Sequence, residues 1–377
     1  MTRIFRAHHV FDGHVLLSNS ALQFGAHGLE AILTADQIPS GPEVEDCGNV
    51  ILTSGFTDLQ ANGGGGVLLN DAPTQDTVDR IAAAHWGLGT RRLLPTLITD
   101  MFEVTESAIA AVKAAIAART PGVMGLHLEG PHLSVARRGA HKADYIRPME
   151  DRDLALLLQA AQDLPHLKVT IAPENVTTYQ VRALSQAGVT VSLGHTDTDY
   201  ATCRAYQQAG ARCVTHLYNA QRQMSGREPG VVGAALGLEG LWAGLIADGV
   251  HVHTQMMQLA FAAKAHADGE IFLVSDAMAV AGSDAQSFML NGRKVLRHAG
   301  RLTLEDGTLA GADLDMLRAM RVLVEQVGLP AQRALRAATS GPLELIGQPN
   351  PVLGRPVTDF LKVSPQFDCF HPLSTTK

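Results

Sequence analysis

The sequence predicts an α/β protein: a (β/α)8 barrel of the TIM type with a small β-sandwich-like unit built from both chain ends. Three observations predict it. Apolar runs of strand length alternate with amphipathic stretches of helix length through most of the chain. Those runs number eight. Both ends leave this rhythm for short strands punctuated by turn residues. Parallel strands need crossover connections, usually helical, so regular alternation implies a parallel sheet. An open Rossmann-like sheet is the runner-up. Gly63, Gly64, Gly65 and Gly66 follow the first run without the GxGxxG spacing and helix that fold requires, which favours the barrel.

Taken in order, residues 3–50 read as short strands at 4–7, 14–17 and 28–33, broken by Asp12-Gly13, Gly25 and a Pro39-Ser40-Gly41-Pro42 turn. Barrel strands are expected at 50–59, 92–97, 123–129, 167–172, 189–195, 212–216, 241–247 and 271–276. Helices are expected at 76–88, 103–119, 151–162, 177–187 and 198–209, with Gly188 and Gly210 as stops. Residues 287–304 read as hairpins around Asn291-Gly292. Helices resume at 313–327 and 330–338, and the tail returns to the N-terminal strands. The expected domains are thus 1–50 with 341–377, and 51–340. Beyond about Ser364 the tail shows no pattern.

The chain has 377 residues, 46% hydrophobic and 18% charged, with a net charge of −7. That charge argues against a nucleic-acid surface or a polybasic membrane surface, but leaves room for a local anion site. Four cysteines without CxxC spacing indicate neither a zinc ribbon nor a disulfide scaffold. No apolar span reaches membrane length, and the first residues are followed by no apolar stretch. A cytoplasmic protein is expected.

Polar residues fall in one kind of place. Glu129, His195, His216 and Asp276 each end an apolar run, the third, fifth, sixth and eighth. In a barrel these ends converge on one pocket. A lone strand-end histidine is more often a structural hydrogen-bonding residue, and Asp276 alone could cap a turn. Together, one carboxylate and two imidazoles match the ligand set of catalytic zinc and ferrous sites, with Asp276 left to move protons. After His216 comes a loop ending Gly226-Arg227-Glu228-Pro229-Gly230, which reads as a substrate lid. In Asp248-Gly249-Val250-His251-Val252-His253, His251 is expected to touch substrate and His253 to start a helix.

Six stretches carry a resemblance: LHLEGPHLSVARRGAHKADYIRP (126–148), SLGHTDTDY (192–200), THLYNAQRQMSGREPGVVGAAL (215–236), ADGVHV (247–252), VSDAMAVAG (274–282) and EDGTLAGADLDM (305–316). In order and spacing they resemble the N-acetylglucosamine-6-phosphate deacetylases of the amidohydrolase superfamily. The resemblance implies that Glu129, His195 and His216 bind one divalent metal, Zn2+ or Fe2+. It implies Asp276 as catalytic acid/base and His141, beside Ala140, as a contact to the N-acetyl group or sugar. Asn219, Ala220, Arg227 and His251 would hold the sugar phosphate, with Arg227 offered across a homodimer interface to the partner's site. Asp248, Leu309, Ala310 and Gly311 would line the sugar and acetyl pocket. Many amidohydrolases carry His-x-His on the first strand for a second metal. Here that position reads Gln60-x-Asn62, weak ligands beside imidazole, so a single metal is expected and these two are vestigial second-metal positions. The matching activity is hydrolysis of N-acetyl-D-glucosamine 6-phosphate. The galacto epimer, or a sugar-phosphate-binding regulator without catalysis, are the alternatives.

Overall fold

Eight strands, buried on both faces as parallel strands between helices are, form one parallel sheet in sequential order: Phe56–Ala61, Thr90–Ile98, Leu126–Glu129, Leu167–Ile171, Thr190–Leu193, Cys213–Val214, Trp242–Leu245 and Ile271–Leu273. The computed structural model describes residues 2–348 and 352–374, so residues 1, 349–351 and 375–377 of the expected terminal unit lie outside it. The chain after strand eight closes the ring onto strand one. Asp276 N donates to Gln60 O at 3.0 Å and Asn62 N to Ala277 O at 2.8 Å, and Ala61 bridges Ala277. Asp58, on strand one, accepts backbone N–H bonds from Gln60 and from Ser275 on the strand-eight side.

Helices Gln75–Gly87, Phe102–Ala117, Asp151–Asp163, Thr178–Gln186 and Tyr200–Ala209 lie between the early strands. Local chemistry sets their ends. Thr177 accepts from Gln180 N, while Gln180 reaches back to Thr177 N, a reciprocal cap. Gly210 ends the fifth helix in the left-handed conformation, φ +117°. His253 caps the helix Thr254–Ala263 by accepting from Gln255 N.

One expected strand was two. The run 50–59 divides at Gly55: Ile51–Ser54 pairs with Arg3–Phe11 and with Phe360–Val363, and only Phe56–Ala61 enters the barrel. Both pieces are buried, so hydropathy does not mark the break. At the other end, residues 340–345 form a helix, Ser340–Leu345, that packs on the first and eighth barrel strands, so the tail leaves the barrel later than residue 341.

The terminal strands form one seven-stranded sheet in the order Phe370–Pro372, Phe360–Val363, Ile51–Ser54, Arg3–Phe11, Leu16–Gly25, Gly28–Leu33, with Val44–Asp46 also on Arg3–Phe11. Phe24 and Phe360 stand three strands apart in that order, yet their rings meet edge-on at 5.1 Å. Flat sheets space strands by about 4.8 Å, so the sheet must roll over its core. Leu29 closes the roll by exchanging backbone bonds with Gly354 and Arg355. The pattern-free tail thus supplies a strand, Phe370–Pro372. A further antiparallel sheet, Ser287–Leu290, Arg293–His298, Arg301–Leu304 and Leu309–Ala312, follows strand eight. Its first turn is Asn291-Gly292, both at positive φ as a two-residue hairpin turn wants.

Candidate metal centre and active site

Three of the four strand-end residues reach the site by the same device. His195, His216 and Asp276 lie two or three positions beyond their strands, at φ +47°, +29° and +48°. A left-handed residue reverses the chain's heading and aims its side chain across the barrel mouth. It costs on the order of 1–3 kcal/mol per residue, which is why such residues collect at functional sites. Glu129 remains on its strand and points inward by strand alternation.

These placements bring three donor atoms together. Glu129 Oε1 lies 3.0 Å from His216 Nε2 and 3.3 Å from His195 Nε2, and the two Nε2 atoms are 3.0 Å apart. Ligands bonded to zinc at about 2.0–2.2 Å stand roughly 2.9–3.5 Å from one another, so the triangle fits one ion. The tautomer fits too. His195 Nδ1 donates to the Arg137 carbonyl at 2.9 Å, leaving the Nε2 lone pair free to ligate. Burial by itself would raise the Glu129 carboxyl, but the closeness of the His195 and His216 rings outweighs it and holds it well below the usual range. Burial works against the charged form of His216, and the Glu129 bond overcomes it and raises its pKa.

Asp276 faces the same space. Its Oδ1 accepts from Asn62 Nδ2 at 2.8 Å and from Gln60 Nε2 at 3.1 Å, and the same Gln60 nitrogen lies 3.1 Å from Glu129 Oε1. The two amides read as remnants in sequence are therefore donors to the lone carboxylate, and Gln60 alone also reaches the ligand carboxylate. Burial first, then the charge of Glu129, raise the Asp276 carboxyl above its ordinary value, while the Asn62 bond pulls the other way. His141 is fully enclosed, its ring edge-on to His195 at 4.3 Å, and burial followed by the charge of His195 pushes its pKa down to about 3. It is neutral at physiological pH.

A cavity of about 410 Å³ opens above this cluster, a usual size for a small-molecule site. Glu129, His141, His195, His216, Asp276 and Asn62 line it, as do Ala140, Asn219, Ala220, His251, Leu309, Ala310 and Gly311. Asp248 does not line it. It stands behind His251, whose Nδ1 lies 2.6 Å from its Oδ2 and whose backbone N–H it also accepts. Gln60 is fully buried behind the cluster, and Arg227 is exposed and away from its own chain's cavity. Sequence reasoning missed Arg137, Met278, Leu290 and Ile98 in the wall. Leu290 carries no local signal because the post-barrel sheet brings it over the mouth. Thr99, hydrogen-bonded to His141, was also missed. It stands one residue past the second strand, the same kind of position that flagged the others. His127 and His132 lie outside the cluster: His127 bridges Thr96 and Thr170 inside the barrel, and His132 Nδ1 donates to the Arg147 carbonyl at 3.0 Å, beside Asp153.

The chain matches the Amidohydrolase family over residues 51–352. It is 40% identical to an N-acetylgalactosamine-6-phosphate deacetylase of Shewanella sp. (strain ANA-3) over 322 residues, 85% of this chain and 80% of that protein. It is 31% identical to an N-acetylglucosamine-6-phosphate deacetylase of Haemophilus influenzae over 341 residues, 90% of this chain and 88% of that one. The crystal structure of N-acetylglucosamine-6-phosphate deacetylase from Pasteurella multocida superposes with a TM-score of 0.89 at 31% identity, covering 97% of this chain and 96% of that one. With the family model matched over most of the chain, relatives above 30% identity along most of both lengths and a shared overall fold, the chain belongs to the N-acetylglucosamine-6-phosphate deacetylase family of the amidohydrolases.

Proposed function

We propose that the protein hydrolyses N-acetyl-D-glucosamine 6-phosphate to D-glucosamine 6-phosphate and acetate, a step of amino-sugar catabolism or recycling. One observation carries this reading: a three-donor metal triangle and a separately tethered, buried carboxylate share one cavity of sugar size. Glu129, His195 and His216 would hold one divalent ion, zinc or ferrous iron by the softness of the set. Bound there, the ion would supply a water of lowered pKa and polarise the acetyl carbonyl.

The chain's own residues do the rest. Asp276 accepts the proton of the attacking water and returns it to the departing amine nitrogen, which an amide needs because its leaving group is poor. Gln60 and Asn62 keep that carboxylate in place through their N–H groups, and the Asn62 bond favours its ionised form. His141, neutral in its buried setting, is placed to donate to the oxygen of the acetyl group as charge gathers there. His251, steadied by Asp248, together with Asn219 and Ala220, forms the polar side of the cavity suited to the sugar phosphate. Arg227 is exposed and does not line the cavity of its own chain, which supports a homodimer in which it reaches the partner's phosphate site.

The 40% identity to an N-acetylgalactosamine-6-phosphate deacetylase favours a second reading, the galacto epimer as substrate. A regulator without catalysis would be expected to have lost a ligand or the acid/base, and all four groups are present. Among the described residues no helix is long and apolar enough to cross a membrane. The four cysteines are unpaired, which supports a reducing compartment such as the cytoplasm. The deciding experiment combines elemental analysis of the purified protein with acetate release from both 6-phosphates. About one ion per subunit and faster release from the gluco sugar are expected. Acetate from neither sugar would overturn the reading, and faster release from the galacto sugar would select the second.

A further inference from the structure

Strand two ends at Ile98, and the next residue, Thr99, is 1% exposed. Its hydroxyl oxygen lies 2.8 Å from His141 Nδ1 and 3.3 Å from the backbone oxygen of Glu129. So close an approach is possible because residue 130 is glycine. A Cβ built there would stand 2.2 Å from the Thr99 hydroxyl, and the backbone at φ +94° suits glycine in any case. Gly130 therefore leaves the space that Thr99 uses to reach His141.

A threonine hydroxyl has one hydrogen to give and two lone pairs to offer. O–H···O bonds run about 2.5–3.0 Å, so the Glu129 carbonyl lies beyond a normal bond while Nδ1 is well placed. A neutral imidazole carries one proton, and the partner of one nitrogen decides which of the two holds it. If Nδ1 held the proton, Nε2 would be bare beside Glu129 and His195. One donor atom from each of those two residues and from His141 already lie within 4.8 Å of one another. His141 would then be a further metal ligand, filling the coordination position that a catalytic site keeps open, and could not donate to a substrate oxygen.

We propose that Thr99 is a positioning residue whose hydroxyl donates to His141 Nδ1 and so fixes the Nε2–H tautomer, making His141 a hydrogen-bond donor to the acetyl oxygen and not a metal ligand. The inference rests on the deacetylase reading, since it concerns the nitrogen that faces the acetyl group.

The tautomer can be read without turnover. Long-range nitrogen–proton correlation spectra of the metal-free protein, with isotope-labelled histidine, report which ring nitrogen is protonated. The His141 signals are identified by their loss in His141→Gln. Protonated Nε2 is expected in the native protein and in Thr99→Ser, and a loss of that preference in Thr99→Val, which keeps the shape but has no hydroxyl. In the metal-loaded enzyme Thr99→Val should lower kcat about tenfold to a hundredfold with KM for the sugar phosphate unchanged, and Thr99→Ser should restore most of it. A native protein with the proton on Nδ1 overturns the inference even if it releases acetate. The expected tautomers in a protein that releases none would support it while removing the deacetylase reading, so the two failures are distinguishable. If Thr99→Val does not fold, the tautomers of the native protein and Thr99→Ser still decide.

Discussion

At Asp276 the two amide bonds both fall on Oδ1, so Oδ2 takes neither of them. A carboxylate held by one oxygen keeps its orientation while the other is left for proton transfer. Asp276→Asn should therefore abolish nearly all turnover and leave metal content unchanged. Elemental analysis of the variant checks this, and loss of the ion would make Asp276 a ligand instead. The Asn62 bond stabilises the ionised form, so removing it raises the Asp276 pKa further above the carboxylate range, where burial and Glu129 have already moved it. Because activity needs the ionised form, the acid limb of the kcat/KM–pH profile of metal-saturated Asn62→Ala should move to higher pH. A limb that stays in place would assign it to another group. Glu129→Ala should fold and bind little metal, as circular dichroism with elemental analysis would show.

At the scale of elements, most of the barrel could be read from apolar runs, because a parallel strand buried on both faces leaves an unmistakable stretch of valine, leucine and isoleucine. The exception, residues 50–59, is instructive. Ile51–Ser54 and Phe56–Ala61 are equally buried, one in the terminal sheet and one in the barrel, and hydropathy cannot separate two cores. Gly55 was the only local mark. The joint between those cores depends on ions. Arg92, on strand two, pairs with Asp359 at 3.0 Å with only 5% and 20% of the side chains exposed, and also donates to the Gly55 carbonyl. Arg91 beside it donates to the Thr358 carbonyl. Removing Arg92 leaves Asp359 with the longer pairing to Arg355 at 3.8 Å, so the loss is that of one charge-assisted bond, about 2 kcal/mol. Arg92→Ala should lower the denaturation midpoint accordingly. A shift below one third of that would mean that water reaches Asp359 and the joint is held by packing alone.

At the scale of the whole molecule, the exposed position of Arg227, outside the lining of its own chain's cavity, has a direct consequence. A charge-assisted bond is worth roughly 1.5–3 kcal/mol, so Arg227→Ala should weaken phosphorylated substrate about tenfold to a hundredfold and leave an unphosphorylated sugar unaffected. If the arginine serves the partner's site, exchanging subunits between Arg227→Ala and Asp276→Asn proteins should recover activity in the hybrids. In each hybrid one site has both its own Asp276 and the arginine of the other subunit. No recovery after demonstrated exchange would place the arginine in its own chain's site.

Glu129, His195, His216 and Asp276 were legible in the sequence because apolar runs announce strands and the residue that breaks a run is conspicuous. The barrel followed from the count and rhythm of those runs, and the family from six motifs in order. What only the tertiary structure decided are the relations that cross the barrel. These are the Gln60 and Asn62 amides on Asp276, the Thr99 hydroxyl on His141, the place of Asp248 behind His251, and the post-barrel sheet that sets Leu290 over the cavity. Hydropathy records which way a strand faces. The pairing of hydrogen-bond donors with acceptors tens or hundreds of residues away depends on register and on ring closure, and no local pattern in the chain encodes those distances.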